Sequence, residues 1–292
     1  MNPSIRDVLA SSVEEDLAAI SVRPTRRYEV ACVCAGDPQK EATEDGLVVV
    51  EVADGALLVC VVDGMGGMQN GREAARSALE VFAERLVGST DGADARTALV
   101  SAFERAHERI QERCPSGGAT AACALVTDDW VQTVHAGDAE ALVIARSGAV
   151  PFRTIAHSPV GYAQRAGLLD EEEALLHSER HLVSNGLGVD GMAIHVGPRV
   201  PFEPGDTLAV ATDGVTDNAR ESEIVEALRG GSLERGTEEV FTLCRERMLR
   251  AMLGMDGMES VGKPDDLTLV TVRRRPATDA ASGPSAGDAS AV

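Results

Sequence analysis

Two apolar runs, far apart in the chain, each end in an aspartate followed directly by glycine: Leu57–Val62 before Asp63-Gly64, and Leu208–Thr212 before Asp213-Gly214. A third acidic pair, Asp265-Asp266, precedes the apolar run Leu267–Val272. A carboxylate at the end of a buried strand is held rigidly, and the glycine after it lets the backbone come close to whatever the carboxylate binds. One Asp-Gly is only a turn signal. Three strand-linked acids in one domain can converge on a hard divalent cation, which takes oxygen ligands.

The rest of the composition narrows the field. With 44% apolar and 25% charged residues among 292, this is an ordinary globular chain. A formal charge of −20 argues against nucleic acid and anionic membrane surfaces, because phosphates would be repelled. No apolar run approaches the roughly 18 residues of a membrane span. Met1 to Ala19 mixes charges with apolar residues, unlike the continuous apolar core of a signal peptide, so a cytoplasmic protein is expected. Cysteines at 32, 34, 60, 114, 123 and 244 lie mostly in apolar stretches, where they read as small core hydrophobes. There is no Cys-x-x-Cys or His-Glu-x-x-His spacing, so oxygens are expected to hold any metal.

Along the chain, residues 1–27 read as a polar N-terminal arm with a short helix around 5–19. Residues 274–292, mostly Ala, Ser, Gly, Pro and Asp, read as a disordered tail. Strands are expected at 28–34, 46–52, 56–62, 120–127, 130–135, 139–146, 206–211 and 266–273, with Ala53-Asp54-Gly55 as a hairpin turn. Helices are expected over 70–87 and 94–113, joined by a Gly/Ser/Asp turn and so packed antiparallel, and over 238–252. Residues 156–191 are irregular and polar, a small flap insertion with a short helix signal at 168–176. Hairpins outnumber strand–helix–strand crossovers, which favours antiparallel sheets covered by helices in an α+β fold.

Carboxylates on separate strands, with glycine where the backbone approaches, suit a site for two divalent ions that activate water and attack phosphorus. Asp63, Asp213 and Asp265 meet the first need, and Gly64, Gly66, Gly67 and Gly214 the second. Manganese or magnesium suits an all-oxygen shell. These blocks, in order over residues 28–273, make the chain resemble the metal-dependent, type-2C serine/threonine phosphatases of the bacterial PPM type. Glu44-Asp45 fits the family's first acidic pair, Asp63-Gly-Met-Gly-Gly67 its Asp-Gly-x-Gly-Gly signature, and Gly118-Ala-Thr-Ala121 its Gly-x-Thr-Ala strand start. Gly137-Asp138, Asp213-Gly-Val-Thr-Asp217 and Asp265-Asp266-Leu-Thr-Leu fit the later blocks, and His157 through Gly188 resembles the flap.

That resemblance implies a four-layer α-β-β-α sandwich, two antiparallel sheets flanked by helix pairs. It implies hydrolysis of phosphoserine and phosphothreonine in proteins by water activated between two Mn2+ or Mg2+ ions, with a third ion as an option. Asp63 would bridge the two ions and the Gly64 carbonyl would ligate one, while Asp213 and Asp265 complete the second. Glu44 and Asp45 would hold the ions' waters, and Asp138 and Asp217 the third ion. Asp266 is expected to hydrogen-bond rather than ligate. The implied partners are phosphoproteins, opposite a serine/threonine kinase, for a monomer that binds neither nucleic acid nor membrane.

The sequence also departs from the family pattern. Lys40 stands where an arginine grips the substrate phosphate, keeping the charge and losing the bidentate fork. Thr43 replaces an asparagine, and Gly137-Asp-Ala-Glu140 lacks the usual serine and arginine. These changes leave a second reading open: a weakly active or inactive phosphoprotein-binding regulatory module of the same fold. His157 and His181 lie in the flap and read as structural or surface residues.

Overall fold

A computed structural model describes residues 8–11, 20–40, 42–52, 55–65, 70–86, 92–255 and 261–276. Gly66, Gly67, Ala53, Asp54 and the tail beyond 276 lie outside the described residues, so the expectations placed on them are not taken further.

Among the described residues, twelve strands form two six-stranded antiparallel sheets. The first sheet runs in the order β1 (Val8–Ser11), β4 (Asp45–Glu51), β5 (Leu57–Gly64), β6 (Ala119–Val126), β7 (Trp130–Ala136) and β10 (His195–Pro201). The second runs β2 (Ser21–Val22), β3 (Tyr28–Ala35), β12 (Leu267–Arg274), β11 (Thr207–Ala211), β8 (Glu140–Ile144) and β9 (Phe152–Arg153). Helices α1 (Gly71–Leu86) and α2 (Gly92–Arg113) cover the first sheet, with Phe82 and Phe103 meeting at 5.1 Å between ring centres. Helices α5 (Asp213–Thr216), α6 (Glu221–Leu228) and α7 (Leu233–Met252) cover the second. The four-layer sandwich expected from the sequence is the observed architecture.

Among the described residues, three buried clusters explain why the strands read as continuous apolar runs. On β5, Leu57, Val59 and Val61 face the opposite sheet, while Leu58, Cys60 and Val62 face α1 and α2. On β11, Leu208 and Val210 face inward, while Ala209 and Ala211 face the outer helices. A strand buried on both faces needs no polar alternation, and a one-residue slip would exchange its two packing surfaces. All six cysteines are buried, as their apolar settings suggested.

Three expectations are corrected. The short helix around 5–19 is replaced over Val8–Ser11 by a strand paired with β4, so the arm contributes to a sheet edge. The last helix begins at Leu233 rather than 238, because Ser232 caps it by accepting from Arg235 N at 3.3 Å. The flap carries α3 (Pro159–Arg165) as well as the expected α4 (Glu171–Leu175). The first of these starts at Ser158, whose hydroxyl accepts from Gly161 N, followed by proline at the first helical position.

Candidate metal centre and active site

Antiparallel pairing gathers the acids at one end of the sandwich. Asp45 opens β4 directly opposite Asp63 at the close of β5, and Asp63 also faces Thr120 at the start of β6. In the other sheet, Ala211 at the end of β11 faces Leu269 of β12 and Glu140 of β8. Asp213, Asp265 and Asp138 lie just beyond those strand ends, so they share the same edge. Gly137 links the two ends: its φ of +113° is a glycine conformation, and a Cβ there would overlap the Thr120 side chain.

Two side chains tie the acids down, and sequence reasoning passed over the first of them. Thr212 donates its hydroxyl to Asp45 Oδ2 at 2.6 Å and accepts from Thr268 N at 3.0 Å, joining both sheets at the site. A threonine inside an apolar strand end gives no signal of this. Asp266, read as a hydrogen-bonding residue, accepts from Asp37 N at 2.7 Å and Glu44 N at 2.8 Å, and so fixes the loop that carries Glu44. Thr43 does related work from the replaced asparagine position, accepting from Asp45 N at 3.0 Å.

The electrostatics call for a cation. Burial pushes the carboxyls of Asp45, Asp63 and Asp138 well above the ordinary carboxylate range, and neighbouring aspartates push them further. Some surface of Asp63 stays exposed, but protein atoms surround the group on its other sides. Burial, then the charge on Asp213, raises Asp265 to about 7; burial raises Asp217 to about 6, and Lys263 opposes both shifts. Asp45 Oδ1 and Asp138 Oδ1 are buried with no hydrogen-bond partner among the described residues. An unpaired buried carboxylate oxygen is costly unless something binds it.

One cation is already present. Lys263 Nζ lies 2.5 Å from Asp213 Oδ2, 2.8 Å from Asp217 Oδ2 and 3.0 Å from Asp265 Oδ2. Burial favours its neutral form, but the three carboxylates outweigh that and hold its pKa above the ordinary lysine range. Gly64 adds a close backbone approach, since a Cβ there would come within 2.5 Å of Gly71 O and 2.8 Å of Glu44 O. Oxygen donors, orphaned carboxylate atoms and a cation already drawn into the cluster together fit Mn2+ or Mg2+.

Lys40 sits at the rim, with Nζ 3.1 Å from Glu44 Oε2 and 3.4 Å from Asp266 Oδ2. Burial pulls its ammonium down, but the Glu44 hydrogen bond and the Asp266 charge prevail and its pKa is raised. The altered Gly-Asp-Ala-Glu turn is also accounted for. Arg153 grips Glu140 through Nε at 2.6 Å and Nη2 at 2.9 Å, and reaches Glu221 at 3.4 Å. Between the flap and α6 a cleft runs in to Asp138, Asp213 and Asp217.

A second group of metal-capable side chains is His135, His157 and His195. Hydrogen bonding commits His157 elsewhere. Its Nδ1 accepts from Gly137 N at 3.0 Å and from Asn185 Nδ2 at 2.7 Å, with the Asn185 amide oriented by Ala193. That assigns the proton to Nε2, which donates to His195 Nδ1 at 2.9 Å. Burial first, and the other two imidazoles next, push His157 down to about 3. The buried His157 fastens the flap to the Gly137-Asp138 turn, the structural role expected for it.

Comparison with known proteins agrees with this geometry. The protein phosphatase 2C family model matches residues 38–254. The serine/threonine phosphatase stp of Listeria monocytogenes is 25% identical over 240 residues, spanning 79% of this chain and 90% of its own length. A putative 2C-type protein phosphatase of Streptococcus pyogenes is 29% identical over 203 residues, 66% of this chain and 81% of the relative. The serine/threonine phosphatase of S. agalactiae superposes with a TM-score of 0.70 at 22% identity, covering 84% of this chain and 99% of that one. The catalytic domain of the phosphatase PstP, in complex with two manganese ions, superposes at 0.65 with 18% identity, covering 86% and 99%. At these identities the solved structures speak for the fold.

Proposed function

The chain belongs to the protein phosphatase 2C family, and on that premise we propose that its acidic end is the active site where it dephosphorylates serine and threonine in proteins. The activity depends on Mn2+ or Mg2+. Bound in the acid cluster, such ions activate water as the nucleophile and neutralise the phosphoryl oxygens. The chain's own residues hold and orient them. In this reading Asp63, at the end of β5, would hold both ions, and the Gly64 carbonyl would hold one. Asp213 and Asp265 would hold the second, Glu44 and Asp45 would orient water, and Asp138 with Asp217 forms the outer acidic edge.

Other side chains keep those donors in place. Thr212 holds Asp45 to the opposite sheet, and Asp266 holds the Glu44 backbone. Lys40 projects from the same loop and supplies a positive charge for the phosphate, as a point charge rather than a bidentate fork. The observation that carries the reading is the convergence of acids from five strand ends, with orphaned oxygens at Asp45 and Asp138. No observation favours the inactive binding module, because every acid of the proposed metal set lies at the same end.

The substrates are phosphoproteins, and a serine/threonine kinase is the activity this chain would oppose. Among the described residues no helix is long and apolar enough to cross a membrane. We place the chain in the cytoplasm as a monomer. The test is release of phosphate from phosphoserine and phosphothreonine peptides. Hydrolysis with Mn2+ that EDTA abolishes supports the reading; hydrolysis undiminished by EDTA, or none with any divalent ion, contradicts it.

A further inference from the structure

The Lys263 ammonium stands among three carboxylates, two of which are assigned above to the second ion. Its place there is built into the backbone. Pro264 follows it and favours an extended Lys263. The buried Asn218 accepts from Lys263 N at 2.8 Å and donates to Lys263 O at 3.0 Å and Gly214 O at 3.0 Å. Arg247 in turn donates to Asn218 O at 2.8 Å while paired with Glu223 at 2.7 Å. A side chain aimed by a buried clamp on both of its backbone groups is not a casual surface pair.

Its three contacts all use Oδ2 atoms, and Asp265 Oδ1 is also engaged, accepting from Asp266 N at 2.9 Å. A divalent ion and this ammonium therefore seek the same lone pairs. We propose that Lys263 is a tethered counter-cation that competes with divalent metal for the Asp213–Asp217–Asp265 end of the site. It keeps those acids paired when metal is scarce, and the second ion binds only by displacing it. Where the family resemblance allowed a third ion, the chain's own cation takes up the charge of Asp217. The proposal rests on reading Asp213 and Asp265 as ligands of the second ion.

The test is a Mn2+ titration of the full chain by calorimetry, comparing wild type with Lys263→Met, Lys263→Arg and Asp63→Asn. Removing a unit positive charge in contact with the ligand set should tighten the weaker Mn2+ site of Lys263→Met by about tenfold or more. Lys263→Arg, which keeps a cation, should stay near wild type. In EDTA, Lys263→Met should melt below wild type, and saturating Mn2+ should erase that deficit. If Lys263→Met does not fold without metal, Lys263→Gln takes its place with the same expectation. Mn2+ affinity unchanged or weakened in the uncharged variant overturns the proposal while leaving the two-ion site standing. Wild-type Mn2+ binding by Asp63→Asn would instead remove the two-ion reading, and this proposal with it.

Discussion

The two ends of the acid cluster carry similar side chains and solve the same problem differently. At the Asp45–Asp63 end, the partner of Asp45 Oδ2 is the neutral hydroxyl of Thr212, and Asp45 Oδ1 has none among the described residues. At the Asp213–Asp217–Asp265 end an ammonium sits within 3.0 Å of all three carboxylates. The first end waits for an external cation; the second has one on a tether. Burial alone does not decide where a metal binds, since buried charge can be matched from within the protein as well as from solvent.

The contrast breaks most sharply if Asp63 proves dispensable. Asp63→Asn should lower Mn2+-dependent kcat/KM on a phosphothreonine peptide by about a thousandfold or more, the scale of several kcal/mol of lost charge stabilisation. Asp266→Ala should cost about tenfold to a hundredfold in Mn2+ affinity or turnover, because it frees the Glu44 loop without removing a ligand. Thr212→Val strips the partner from Asp45 Oδ2 and should destabilise the chain to urea by about 1–3 kcal/mol. A loss confined to the metal-free chain would sharpen the contrast between the ends.

Proton linkage gives a smaller effect with a definite sign. Asp265 at about 7 and Asp217 at about 6 stand above their unfolded values, so between roughly pH 4 and pH 7 the metal-free native chain binds more protons than the unfolded one. Its stability therefore falls as pH rises through that window. Metal loading keeps the ligands ionised and removes the trend, so the Mn2+-induced rise in Tm should be larger near pH 8 than near pH 5. An equal rise at both would contradict the assigned protonation states. The smallest change is expected from Lys40→Arg, a few-fold rise in kcat/KM, since Glu44 and Asp266 already hold that position to the loop.

Much of this was legible in the sequence, for physical reasons. Asp-Gly after an apolar run marks a strand end, and the expected hairpin through 53–55 is consistent with the observed pairing of Asp45 with Asp63. Antiparallel sheets covered by helices followed from hairpins and an amphipathic helix pair, and the four-layer arrangement from the family resemblance. What stayed hidden depends on contacts between distant segments. Thr212 reads as one more strand residue until Asp45 arrives from the other sheet. Lys263 lies in a polar loop whose composition says only that it is solvated, and its aim depends on Asn218, far back in the chain. At Val8–Ser11 mixed charge and apolar spacing suits helix or strand, and the edge of β4 selects the strand.

The central claim is that one binuclear centre spans the two sheets. Anomalous scattering at the manganese edge, from crystals soaked in Mn2+, tests it most directly. Two peaks are expected in the acid cluster, both touching Asp63, with one also held by Asp213 and Asp265. Peaks at His135, His157 and His195 with none at Asp63 would contradict it.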